Sequence, residues 1–116
     1  MIDRSRQPEA KRVGLPEWSR SVFHLYVVQV ADRIQLQRHL DEAGISTGIH
    51  YPIALHLSKA YERLGFQPGA FPVAEKAAAS VLSLPMFPDL TVHQQDRVIA
   101  VLLKFLGIVE NRVYSE

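Results

Sequence analysis

No cysteine occurs among the 116 residues, which excludes disulfides, a thiolate nucleophile and cysteine-ligated zinc or iron-sulfur centres. That composition fits a reducing compartment, so a cytoplasmic location is expected. No apolar run approaches the ~20 residues of a membrane-spanning helix, and the charged N-terminus contains no hydrophobic signal region. A soluble, unexported protein without a membrane partner is expected. Nor is one sign of charge in surplus: 13 Lys and Arg stand against 12 Asp and Glu, a formal net charge of +1. Phosphate-driven binding needs clustered cations, so no nucleic-acid partner is expected. Arg4, Arg6, Lys11, Arg12 and Arg20 gather near the front, but Asp3, Glu9 and Glu17 are interspersed, as in a solvated arm.

Motifs of several common site types are also lacking. The glycines form neither the dinucleotide-binding nor the P-loop spacing, and Ser46, Ser58, Ser80 and Ser83 lie in no nucleophile elbow. Lys76 follows Glu75 in the first turns of an expected helix, where both are read as exposed. Lys11, Lys59 and Lys104 show no better prospect of being a buried, reactive amine.

What is present is enough for one folded domain. The 47% hydrophobic and 22% charged content is that of a globular chain, and the length suits a single core. Residues 1–20 carry Pro8, Gly14 and Pro16 without a sustained period and read as an irregular arm. The body is expected over 21–107 and a tail over 108–116. Ser21 to Val30 is dense in β-branched and aromatic residues, the pattern of a buried strand containing His24. Asp32 can cap a helix to about residue 43, with Leu36, Leu40 and Ala43 on one face and Gly44 beyond its end.

Ile45 to Tyr51 reads as a second strand, stopped by Pro52. Leu55 to Leu64 can form one or two short helical turns. Pro72 suits the first turn of a helix running to about Ser80, and Val81 to Leu84 follows as a third strand. Thr91 with Gln94 forms a capping box for the last helix, ended by Gly107. The expected class is α+β, a small three-stranded sheet covered by helices.

His50 and Tyr51, side by side and followed by Pro52, place a proton carrier and a phenol at the end of an element. A packed tyrosine with its hydroxyl in water is the competing structural reading. His56 follows shortly, but Pro52 prevents one helix from bringing it to His50, and no carboxylate or cysteine lies between them. A metal site is therefore not expected. His39 and His93 fall on expected helices as surface positions.

The ordered set HLYVVQV at 24–30, GISTGIHYPIALHLSKAYERLG at 44–65, FPVAEKAAASVLSLPMFPDLT at 71–91 and the closing helix resembles the C-terminal small domain of the DegT/DnrJ/StrS family of PLP-dependent sugar aminotransferases. The resemblance runs from about residue 14 to 106. It implies the small-domain fold of fold-type-I PLP enzymes. It also implies that His50, Tyr51 and His56 are substrate-side residues near a bound sugar nucleotide. In that family an amino group, usually from glutamate, passes to a nucleotide-linked keto sugar through a Schiff base between PLP and a lysine of the large domain. Ala54 and Ser58 stand where the family often has proline and glutamine.

The resemblance leaves the large domain, with its PLP lysine, outside these residues. The expectation is a detached or truncated small domain that binds no PLP and is not catalytic alone. The alternatives are a protein-interaction module, pairing with another copy or with a large-domain partner through Trp18, Val22, Phe23, Phe71, Met86 and Phe87, and a domain that retains sugar-nucleotide binding.

Overall fold

The computed structural model describes residues 10–12 and 14–107; the tail expected over 108–116, and the first nine residues of the arm, lie outside them. The sheet has three antiparallel strands in the order β1 (Ala10–Arg12), β2 (Tyr26–Val30), β3 (Val81–Leu84). In register, Lys11 faces Gln29, while Val28 faces both Arg12 on one side and Leu82 on the other. The three-stranded α+β architecture is the expected one, but one strand differs. The sheet's first strand comes from the arm read as irregular. Ile45 to Tyr51, read as a strand, makes only the single bridge Gly48 to Ser83.

The physical reasons are local. β1 is short and charged, as edge strands often are, and has no alternating pattern that a sequence would reveal. β2 begins at Tyr26 instead of Ser21 because Phe23 takes a left-handed conformation, with φ of +48°, which a strand cannot contain. The Phe23 N–H donates to Ser21 Oγ at 3.0 Å. His24, expected inside the strand, is therefore exposed in the bend before it.

Helix α1 (Arg33–Glu42) opens at Asp32, whose side chain accepts from the Gln35 N–H. It closes at Gly44, with φ of +74°. The Gly44 N–H donates to Asp41 O and the Ile45 N–H to Leu40 O, the paired bonds of a Schellman ending. Arg97 adds a bond from the last helix to Ala43 O at 2.7 Å. Two 3-10 segments follow, Leu55–Leu57 and Lys59–Leu64, then α2 (Pro72–Ser80), which has Pro72 in its first turn. Helix α3 (Val92–Phe105) starts at the Thr91–Gln94 capping box.

Val28 and Val30 of β2, Leu82 of β3, Leu36 and Leu40 of α1, and Ile45 form the buried core. Val98, Val101, Leu102 and Phe105 of α3 pack against it. Because side chains alternate along a strand, Leu82 enters this core while its neighbour Ser83 points to the other face. Ser83 is nevertheless buried. His39, read as a surface position, is half-buried between helices, its ring 5.6 Å from that of Phe105; His93 is exposed.

Candidate functional site

The segment after α1 reaches the edge of β3 and is held there by two main-chain bonds. The Gly48 N–H donates to Ser83 O at 3.0 Å, and the Ser83 N–H donates to Gly48 O at 2.7 Å. Two residues on, the His50 ring folds back so that Nδ1 lies 2.9 Å from Ser83 Oγ. Glycine at 48 permits this approach: a Cβ there would meet His50 Cε1 at 2.7 Å. Tyr51 joins His50 through a cis peptide, and the two rings meet edge to face at 5.5 Å. Tyr51 is 73% exposed, and His50 is exposed as well. An imidazole pinned from behind and a phenol free at its tip thus share one surface.

His56 faces a different neighbour. Its Nε2 lies 2.8 Å from Glu75 Oε1, and its side chain is only 9% exposed. The Phe71 and Phe66 rings stand edge-on to it at 4.8 and 6.3 Å. Glu75 also accepts from the Gly69 N–H at 2.9 and 2.8 Å and from the Phe71 N–H at 3.3 Å. The Gly69 bond, followed by the His56 bond, holds the Glu75 carboxyl below its ordinary value of 4.5. The reading of Glu75 as an exposed first-turn residue is thereby corrected: it is half-buried and joins the Leu55–Leu57 segment to α2. The sequence offered no local sign of this, because the partners His56 and Glu75 are 19 residues apart.

Ser83 and Gly48 were likewise not singled out by spacing. The available sign was that Ser83 is the lone polar residue in the strand VLSL. Among the described residues, no group of three or more His, Asp or Glu could hold a metal. A shallow groove of about 520 Å³ lies beside α3, walled by Ile45, Pro85, Phe87 and Arg97 among others, and it includes none of His50, Tyr51 and His56. The described residues do not fit a PLP site. Lys11, Lys59, Lys76 and Lys104 are all exposed, and none lines the groove, so the described residues offer no enclosed amine for a Schiff base. No helix of the described residues is long and apolar enough to cross a membrane.

The sequence model of the DegT/DnrJ/EryC1/StrS aminotransferase family matches residues 5–103. Among curated relatives, the chain is 52% identical over 93 residues to the erythromycin biosynthesis sensory transduction protein EryC1 of Saccharopolyspora erythraea, covering 78% of this chain and 25% of that one. It is 43% identical over 90 residues to the dTDP-3-amino-3,4,6-trideoxy-alpha-D-glucose transaminase of Streptomyces venezuelae, covering 75% and 24%. Among solved structures, S. venezuelae DesV in complex with a ketimine intermediate superposes with a TM-score of 0.81 at 37% identity, over 91% of this chain and 29% of that one. A Brucella abortus aminotransferase gives 0.77 at 37% identity, over 84% and 26%. The chain therefore spans about a quarter of the length of the curated relatives it matches. By the family match over most of its length, this chain belongs to the DegT/DnrJ/EryC1/StrS aminotransferase family.

Proposed function

We propose that this chain is the small domain of a PLP-dependent sugar aminotransferase, supplying the substrate-side wall of a cleft whose cofactor-bearing wall belongs to a large domain. The carrying observation is the corner itself: His50 and Tyr51 are exposed together, and the buried Ser83 fixes the imidazole from behind. A residue pinned in that way and turned to the outside is suited to meet a ligand. His50 and Tyr51 are the contacts with a sugar nucleotide. His56, bonded to Glu75, supports the segment that carries them.

Val73, Val92 and Leu55 are 83%, 72% and 69% exposed, apolar side chains of the kind that a partner domain covers. Taken alone, the chain binds no PLP and transfers no amino group. Incubation with PLP, borohydride reduction and peptide mass spectrometry test this. Scattered, substoichiometric labelling of exposed lysines is expected; a one-to-one adduct on a single lysine would overturn it.

A second reading is favoured by Trp18 and Val22, 88% and 93% exposed: the chain pairs through this apolar surface with another copy or with a separate large-domain protein. Light scattering that gives a strictly monomeric mass at high concentration, with no apolar-dye binding, counts against it.

A further inference from the structure

Ser83 is the buried polar residue among those described, and all its polar groups serve the His50 corner. Its N–H and carbonyl pair with Gly48, and its Oγ meets His50 Nδ1 at 2.9 Å. A serine hydroxyl has one proton to give, and a buried proton needs an acceptor. Among the described residues, the partner of Ser83 Oγ is His50 Nδ1. Were Nδ1 protonated, it would donate into Oγ and leave the hydroxyl proton without an acceptor in a site only 5% exposed. The opposite direction satisfies both groups.

We infer that the Ser83 hydroxyl donates to His50 Nδ1 and so fixes the ring as the Nε2–H tautomer, presenting an N–H donor to an acceptor oxygen of the ligand. Ser83 is thus a positioning residue that acts through His50, and Gly48 is the second. The His50 ring lies against the Gly48 Cα, where an added Cβ would be 2.7 Å from Cε1. Main-chain pairing of Gly48 with Ser83 keeps the ring and its hydroxyl partner in one frame. Such a corner selects ligands by an oxygen lone pair and disfavours a ligand that offers a donor at the same place. The inference about the ligand rests on the proposed function; the tautomer does not.

The test is a long-range proton–nitrogen NMR correlation of the His50 ring in the full chain, recorded with the imidazole neutral. The expected pattern is a single Nε2–H tautomer with an unprotonated, hydrogen-bonded Nδ1. In Ser83→Ala the two nitrogens move toward the averaged pattern of an unrestrained imidazole, and Ser83→Thr restores the wild-type pattern. A merely structural role for Ser83 would leave those ring signals unmoved. A wild-type ring protonated at Nδ1, or one already averaged, overturns the inference, and needs no variant to fold. No ligand enters the measurement, so its failure is distinct from failure of the functional reading.

Discussion

His56 Nε2 lies 2.8 Å from Glu75 Oε1, and the same carboxylate takes the Gly69 and Phe71 N–H groups. One side chain thereby secures the loop before α2, the start of α2 and the first 3-10 segment beyond the His50–Tyr51 corner.

This clasp responds to acid. The folded state lowers the Glu75 pKa from 4.5, so its contribution to stability is complete above that value and is lost as pH falls through the lower, folded one. The Gly69 amide signal should move below about pH 4.5 in the wild-type chain. In Glu75→Gln it should stay still over that range, with Gly69 and Phe71 amides exchanging roughly tenfold faster at neutral pH.

Core depth is tested by Leu36, which is fully buried between sheet and helices. Leu36→Ala removes three methylene-sized groups and leaves a cavity, at a cost of about 2–5 kcal/mol. Val22→Ala, at a position 93% exposed, should change stability by no more than ~0.5 kcal/mol. Urea unfolding of the two variants measures the difference.

The start of α3 depends on Thr91, whose hydroxyl accepts from the Gln94 N–H while the Gln94 side chain accepts from the Thr91 N–H. Thr91→Ala should cost about 1 kcal/mol. Thermal unfolding followed by circular dichroism would register the loss, and Thr91→Ser should recover most of it.

Helix ends were the legible part of this sequence, because their chemistry is local. Asp32, Gly44, Pro72 and the Thr91–Gln94 box each act within a few residues, and all stand where the structure uses them. The sheet was less legible. β1 pairs Lys11 with Gln29 across a long connection, and nothing in AKR announces it. The Ile45 to Tyr51 stretch has strand composition, yet after one bridge at Gly48 the chain turns its His50 ring back on Ser83. Tertiary pairing decided both outcomes.

At the site the sequence drew attention to His50 and Tyr51, which the structure places together and exposed. It did not reveal what holds them. Ser83 and Glu75 act on residues 33 and 19 positions away, beyond any local pattern. His56, a substrate-side residue by the resemblance, has its ring enclosed by Phe66, Phe71 and Glu75, contacts that no local pattern announces.

As the proposed substrate wall of a sugar aminotransferase, residues 14–107 should work in the frame of a whole enzyme. The decisive protein is a chimera in which they replace the corresponding segment of the S. venezuelae transaminase that is 43% identical to this chain. The measurement is the transamination that yields the dTDP-3-amino-3,4,6-trideoxy-alpha-D-glucose of that enzyme's name. An active chimera is expected, in which His50→Ala and Tyr51→Phe each lower kcat/KM by about tenfold or more, with the PLP absorption unchanged. A chimera that binds PLP but is inactive, or one indifferent to both substitutions, would contradict the proposed role.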